Sequence, residues 1–595
     1  MQDHVQSKVS ADWLRALERT AQAIRSRRSF GEILDELAGA HGDRPALIGE
    51  KVTLTHRALA AQSNRYARWA LANGVGKGEC VALLLPNCPD YVAIWSGISR
   101  VGGVVALLNT NLTAQPLAHC LDIVRPTALI IDSELIEAYH SAAPFLPSPP
   151  KLWVHGQSTH AGQLLDEAIA AIDASPLSPA ERRPLELSDR ALYIYTSGTT
   201  GLPKAANVSH RRIVEWSYWF SGLMNTQPDD RMYDCLPMYH SVGGIVAIGS
   251  VLVSGGSVMI RDKFSASRFW DDVGETGCTL FQYIGELCRY LVNAPPNRNE
   301  TSHHLRIACG NGLRADIWDA FKSRFKIPRI LEFYAATEGS FSLYNVEGKP
   351  GAIGRQPGFM AHRSSIAIIK FDFASETAAR NADGFCIPCA ADEVGEAIGR
   401  LPHSMGEVNR FEGYTSKAES ERKILRDVFK RGDAWFRTGD LMKRDRAGYF
   451  YFVDRIGDTF RWKGENVSTQ EVANTIASCP GISEVAVYGV TVPGFDGRAG
   501  MAAVVVNKTF ESATLHAHVA KHLPSYSRPL FIRIVEKLAT TETFKQKKQQ
   551  LVKDGFDPSV VKDILLVESA DGYVPLTAER YARLVKRPAL VESAS

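Results

Sequence analysis

Residues 191–204 read Ala191-Leu192-Tyr193-Ile194-Tyr195-Thr196-Ser197-Gly198-Thr199-Thr200-Gly201-Leu202-Pro203-Lys204. An apolar run of strand length ends in a loop whose hydroxyl residues flank and separate two glycines, and the loop closes on a lysine. Small residues let backbone N–H groups approach phosphate oxygens, the hydroxyls add donors, and Lys204 adds charge. The loop is not a Walker A sequence, because Pro203 stands where a glycine precedes the lysine there.

Outward from this strand, short apolar runs alternate with longer amphipathic ones. Ala46-Leu47-Ile48 and Val52-Thr53-Leu54 flank Gly49-Glu50-Lys51, a hairpin signal. Thr55 then caps a helix carrying Leu59, Tyr66 and Ala70 on one face. Residues 81–85, 104–108 and 128–131 read as buried strands separated by helices. Strand and helix alternating at this pace predict α/β layers. Residues 80–109 are the longest apolar stretch, but Pro86, Pro89, Asp90 and Arg100 interrupt it. A bilayer core needs ~20 mostly apolar residues without such breaks, so the stretch reads as strand, turn, helix and strand.

Near Gly448 the texture changes. Tyr449-Phe450-Tyr451-Phe452-Val453 runs into a polar, glycine-containing stretch, followed by strand-like residues 485–490 and 501–506. A helix near residues 515–522 and a strand at 530–534 complete a small α+β domain. The boundaries expected are an N-terminal amphipathic segment at 1–29, a large domain at 30–453, a hinge at 454–458 and a small domain at 459–595. Two domains meeting at a polar hinge are a common setting for a substrate cleft.

The chain has 595 residues, too many for one small binding module. Hydrophobic residues make up 45% and charged residues 22%, which excludes wholesale disorder. The net charge of +3 gives no surface built around nucleic acid. Ten scattered cysteines in so long a chain read as reduced thiols. Cys386 and Cys389 form a CxxC pair with no second pair or His cluster to complete a zinc site. The N-terminus lacks the order of a secretory signal. In residues 13–28, Trp13, Leu17, Ala21 and Ile24 share a helical face beside five arginines. That pattern fits a surface helix with a solvated basic face better than an interfacial membrane anchor.

The loop at 195–204 resembles the phosphate loop of the adenylate-forming acyl-CoA synthetase superfamily. Other segments narrow the resemblance to the fatty acid transport protein/very-long-chain acyl-CoA synthetase branch. They are Leu236-Pro-Met-Tyr-His240, Gly310-Asn-Gly-Leu-Arg314, Phe333-Tyr-Ala-Ala-Thr-Glu-Gly339, Phe411-Glu-Gly-Tyr414 and Phe436-Arg-Thr-Gly-Asp440. Asp454-Arg455, Phe460-Arg-Trp-Lys-Gly-Glu-Asn-Val-Ser468, Thr543-Phe-Lys545 and the tail Tyr573-Val-Pro-Leu-Thr577 continue the series. The resemblance covers roughly residues 30–580; the 460–468 segment and the tail mark the branch, the phosphate loop only the superfamily. It implies a large AMP-binding domain of layered sheets and helices with a small mobile C-terminal domain.

The chemistry it implies converts a carboxylate, a poor electrophile, into an acyl-adenylate at the expense of ATP, and then into a thioester of CoA. Cations must offset repulsion between the carboxylate and the α-phosphate. By resemblance, Thr196, Ser197, Gly198, Thr199, Thr200, Gly201 and Lys204 cradle phosphates, and Glu338 with Thr196 holds Mg²⁺. Thr337 lies near the α-phosphate, Tyr334 stacks on adenine, and Gly310, Asn311 and Gly312 pack against the same base. Asp440 accepts from the ribose hydroxyls, two acceptor oxygens matching two donors, and Arg455 contacts ribose or phosphate. His240 borders the carboxylate end of the acyl pocket. Lys545 bridges acyl carboxylate and α-phosphate, and Gly464 lines the pantetheine passage after the small domain swings. Two departures stand out: the pivot position after Arg455 is Gly457, and Glu542 stands where the pattern has glycine.

The leading reading is an ATP-dependent, AMP-forming ligase that makes acyl-CoA from a long aliphatic acid and supports uptake by metabolic trapping, in the cytoplasm or peripherally at the inner face of the cell membrane. A ligase for bile acids or other sterol-derived carboxylates would share every motif, and an acyl-AMP ligase charging a carrier protein is a further alternative. Nucleic acid is not an expected partner, and the sequence does not fix the oligomeric state.

Overall fold

The computed structural model describes residues 2–157, 162–196, 202–339, 341–363, 366–373, 375–401, 411–463, 465–495, 497–540, 546–569 and 572–586, with only the backbone of 2–8 and 361–363. The chain divides into two compact units. The first comprises residues 1–364 and 401–424, the second residues 365–400 and 425–595. This division differs from one drawn at 453, because the strand Phe450–Arg455 pairs with Ala434–Arg444, which pairs in turn with Gly395–Arg400. Residue 454 thus lies inside a sheet of the second unit.

The first unit is built on two large sheets. In the seven-stranded one, Gln163–Leu164, Lys151–His155, Ala128–Asp132, Cys80–Leu84, Val104–Leu107 and Arg190–Thr196 lie parallel, and Lys204–Ser209 closes the edge antiparallel. Its central strands Ala128–Asp132, Cys80–Leu84 and Val104–Leu107 are almost wholly apolar because both faces are covered. Val81 and Leu83 join the core of one face, Ala82 and Leu84 that of the other, as a two-residue repeat requires.

The eight-stranded sheet has six parallel strands, in the order Ile330–Ala335, Ile307–Asn311, Leu280–Ile284, Arg231–Asp234, Ser257–Ile260 and Pro45–Ile48. Antiparallel strands flank it: Ser342–Asn345 on one side and Thr53–Thr55, the second arm of the 46–54 hairpin, on the other. Helices fill the space between the two sheets in one core, among them His56–Ala72, Pro89–Ser99 and His210–Met224. Thr55 caps the first of these, its side chain accepting from the Ala58 N–H at 3.1 Å. Leu59, Tyr66 and Ala70 are buried on its inner face.

The helix Gln2–Arg25 packs along His210–Met224. The face it buries carries Trp13, Ala16, Thr20 and Ala23, while Leu17 and Ile24 are half-buried and Ala21 is exposed. Small residues allow the close approach: a Cβ on Gly222 would lie 2.3 Å from the Ala16 Cα. Trp13 packs edge-on against Trp219 and Tyr344, and Asp12 pairs with Arg329 at 2.9 Å. The apolar side of this helix is therefore packed on the protein and is not a free membrane face, while Arg25 and Arg27 are exposed. Among the described residues no helix is long and apolar enough to cross a membrane.

In the second unit a five-stranded sheet runs Ile482–Val490, Ala499–Val506, Phe531–Ile534, Ile564–Ser569 and Gly572–Pro575. Only its second and third strands are parallel. Helices Thr469–Ala477 and Ser512–His522 bury Ile476, Leu515 and Val519 in its core.

Candidate functional site

In the first unit the residues singled out from the sequence lie at or just beyond the carboxyl ends of strands, where open parallel sheets bind ligands. Thr196 ends its strand and stands opposite Lys204 in the antiparallel register. Ser197, Gly198, Thr199, Thr200 and Gly201 lie outside the described residues. The loop's far end is tied down by His119, whose Nε2 is 3.0 Å from the Pro203 carbonyl oxygen. Lys204 is ion-paired with Glu419 and lies near the Tyr414 ring.

Gly310 and Asn311 end the next strand, and Gly312 turns the chain with φ +82°. A Cβ on Gly310 would stand 2.2 Å from the Tyr283 carbonyl oxygen, so the backbone approach there admits glycine alone. Asn311 Oδ1 is buried without a hydrogen bond among the described residues. The neighbouring strand carries Glu332 and Tyr334. The buried Glu332 carboxyl receives the Leu313 N–H at 3.0 Å and the Tyr283 hydroxyl, bracing the glycine turn. Burial pushes this carboxyl up to about 8, against the hydrogen bonds that favour its ionised form. Tyr334 is half-buried, edge-on to Phe341.

Beyond that strand come Thr337 and Glu338. Arg212 donates to the Thr337 carbonyl oxygen at 2.5 Å, and Ser241 Oγ is 3.3 Å from Thr337 Oγ1. The half-buried His240 thus immediately precedes a residue touching Thr337. It opens onto a widened helical turn, Val242–Ala247, in which a Cβ on Gly244 would meet the Met238 carbonyl oxygen at 1.9 Å. Glu338 is 7% exposed. Its Oε1 receives the Tyr414 hydroxyl at 2.6 Å and lies 3.9 Å from Lys423 Nζ.

Sequence reading assigned no role to the segment that supplies Tyr414, Glu419 and Lys423, although Phe411-Glu412-Gly413-Tyr414 stood among the matching motifs. Residues 412–415 run beside the strand Lys204–Ser209. Asn207 N–H donates to the Gly413 carbonyl at 2.9 Å and Thr415 N–H to that of Ala205 at 3.0 Å. Glu412 accepts from Ser209 N–H at 2.7 Å and Ser209 Oγ at 2.6 Å, and lies 3.6 Å from Arg212.

The donors present fit a magnesium ion. The hard cation takes oxygen ligands, and Thr196 Oγ1 is a buried oxygen without a well-aligned partner among the described residues. Glu338 Oε2 likewise has no protein partner among them, whereas Oε1 is engaged.

In the second unit Asp440 and Arg455 are cross-strand partners, with Nε 3.7 Å from Oδ1. Asp440 is 7% exposed, and its N–H donates to Thr438 Oγ1 at 3.0 Å. Asp454 is buried and accepts the Thr469 N–H at 2.5 Å, and burial raises its carboxyl above the ordinary range. Gly457 follows Arg455 in a turn that needs no left-handed backbone there. The hairpin of Phe460–Trp462 and Glu465–Val467 has Lys463 at φ +52°; Gly464 lies outside the described residues, as do Lys545 and Glu542. Lys548, near Lys545 in sequence, donates to Thr469 Oγ1 at 3.0 Å. Cys386 is buried and Cys389 half-buried, both free thiols, and burial pushes Cys389 up to about 11.

A sheet pair enclosing helices, with glycine and carboxylate turns at its strand ends and a separate α+β unit behind it in sequence, defines an adenylate-forming fold. The structure matches that of the anthranilate CoA ligase AuaEII in complex with anthranoyl-AMP with a TM-score of 0.75, at 21% identity, over 88% of this chain and 96% of that one. The AMP-binding enzyme family model matches residues 34–371 and that of the AMP-binding enzyme C-terminal domain residues 471–545. Long-chain fatty acid transport protein 6 of Mus musculus is 41% identical over 91% of this chain and 87% of its own length. Long-chain fatty acid transport protein 2 of Rattus norvegicus is 39% identical over 96% and 93%. The chain belongs to the AMP-binding enzyme family, in its fatty acid transport protein branch.

Proposed function

We propose that this protein is an ATP-dependent, AMP-forming ligase that charges a long- or very-long-chain fatty acid with CoA. The acid's carboxylate oxygen attacks the α-phosphorus of ATP, forming an acyl-adenylate and releasing pyrophosphate. The CoA thiol then attacks the acyl carbon, releasing AMP and a proton. The observation that carries the reading is the set of groups on the strand ends of the first unit. The Gly310–Gly312 turn, the Thr337–Glu338 turn and the Thr196–Lys204 pair all belong to that unit. The near full-length similarity to long-chain fatty acid transport proteins supports a long aliphatic acid as substrate.

In this reading Gly310, Asn311, Gly312 and Tyr334 hold the adenine, and Asp440 holds the ribose with Arg455 beside it. Thr196, Lys204 and the 197–201 loop hold the phosphates, while His240 borders the carboxylate. Glu338 and Thr196 would hold Mg²⁺, which supplies charge neutralisation on the triphosphate when bound. Lys545 brings positive charge to the carboxylate and α-phosphate as they approach, and Gly464 lines the thiol's path in the second half-reaction. Trapping as the CoA ester supports uptake by a protein of the cytoplasm that meets its substrate at the inner face of the cell membrane.

Product analysis by mass spectrometry tests the assignment. Purified protein receives ATP, Mg²⁺, CoA and a mixture of medium, long, very-long and sterol-derived acids. Long-chain acyl-CoA with matching AMP is the expected result. A sterol-derived thioester would reassign the substrate, and acyl-adenylate without thioester would point to a carrier-protein acceptor.

A further inference from the structure

The Glu338 carboxylate is held asymmetrically. Oε1 receives the Tyr414 hydroxyl at 2.6 Å and has Lys423 Nζ at 3.9 Å, while Oε2 makes no hydrogen bond among the described residues. Tyr414 itself is 7% exposed and fixed by its backbone. It forms an antiparallel bridge with Ala206, and the chain on both sides is hydrogen-bonded to the strand Lys204–Ser209. At the other end Glu412 N–H donates to the Glu338 carbonyl at 3.3 Å, so the strap grips both the backbone and the side chain of Glu338. The phenol hydroxyl is the donor in this contact and the carboxylate oxygen the acceptor.

We propose that Tyr414 is a positioning residue for metal binding, its hydroxyl holding Glu338 Oε1 so that Oε2 is presented to the cation on the triphosphate. The inference rests on the reading of Glu338 as the Mg²⁺ ligand. A carboxylate free to rotate about its terminal torsion must be ordered when the metal binds, and one already clamped through a charge-assisted hydrogen bond need not be. Lys423 strengthens the same bias, because its charge favours occupation of Oε1 by donors and leaves the cation to Oε2.

The test uses the full-length protein with a stoichiometric non-hydrolysable ATP analogue, titrated with Mn²⁺ and followed by electron paramagnetic resonance. Tyr414→Phe keeps the ring and removes only the hydroxyl. It should raise the half-saturating Mn²⁺ concentration on the order of tenfold, the scale of one hydrogen bond to a charged group. The apparent KM for the acid and the unfolding midpoint should move little. An unchanged or lowered Mn²⁺ requirement in Tyr414→Phe overturns the inference. Glu338→Gln separates the two levels: wild-type Mn²⁺ affinity in that variant removes Glu338 as a ligand, whereas loss there with no shift in Tyr414→Phe removes Tyr414 alone.

Discussion

Lys204 and Glu419 are ion-paired across 215 residues of sequence, with side chains only 15% and 19% exposed. Glu419 also binds Arg422, and its carboxyl is held below the ordinary range, first by the hydrogen bond from Lys204. Lys204, proposed above to hold phosphate, thus has a counter-charge already in place, and in that reading an incoming phosphate competes with Glu419.

Glu419→Gln should remove that competition. The ATP concentration for half-maximal adenylation should fall on the order of three- to tenfold, and Lys204→Met should raise it by at least as much. Pyrophosphate release at saturating acid reads both. A higher ATP requirement in Glu419→Gln would show instead that Glu419 holds Lys204 in its working position.

The N-terminal helix yields a second prediction. Trp13 is 4% exposed and packs against Trp219 and Tyr344. Trp13→Ala should cost about 3–5 kcal/mol, the usual range for truncating a large buried aromatic, visible as a lower denaturation midpoint in urea. Liposome flotation of the folded variant should match wild type; selective loss of membrane association with unchanged stability would restore the anchor reading.

The same helix shows why parts of the fold were legible in sequence and others were not. Buried parallel strands are apolar on both faces, so Val81, Val105 and Leu129 stood out as continuous runs. The packed face of the first helix depends on Ala16, Thr20 and Ala23 meeting Gly222, and small residues leave little trace in an apolar pattern. The periodic apolar residues Trp13, Leu17, Ala21 and Ile24 give the stronger pattern, though of these only Trp13 is fully buried. The strap at 411–424 was harder still. Its residues matter through backbone pairing with a strand some 200 residues upstream, which no local periodicity records. The turns at 310–312 and 337–338 were legible through the resemblance of their motifs to the family pattern; a Gly-Asn-Gly turn or a turn carboxylate alone carries little.

Glu332 gives a pH-dependent prediction. Its folded-state value of about 8 lies above the ordinary 4.5, with burial as the main cause. The folded protein thus binds this proton more tightly than the unfolded chain. The resulting stability is complete below about 4.5 and is lost progressively as pH rises through about 8. Glu332→Gln cannot titrate, so its unfolding midpoint should gain on wild type between pH 5 and pH 9. Parallel midpoints across that window would show that Glu332 is ionised in the folded state at neutral pH.

Lys545 carries the prediction that most directly separates the two half-reactions. If its charge acts as the acid carboxylate meets the α-phosphate, Lys545→Ala removes one transition-state contact, which ordinarily slows a reaction by on the order of 10²–10³. The second half-reaction joins a neutral acyl carbon to a thiol, with AMP already formed, and has no need of that charge in the same place. Acyl-adenylate formation should therefore collapse in the variant, while thioester formation from supplied acyl-adenylate and CoA continues near the wild-type rate. Rapid-quench measurement of each step on the same preparation gives the two numbers. Equal loss in both steps would mean that Lys545 supports the small domain as a whole rather than the adenylation chemistry, and Glu542, three residues before it, would then be the next side chain to replace.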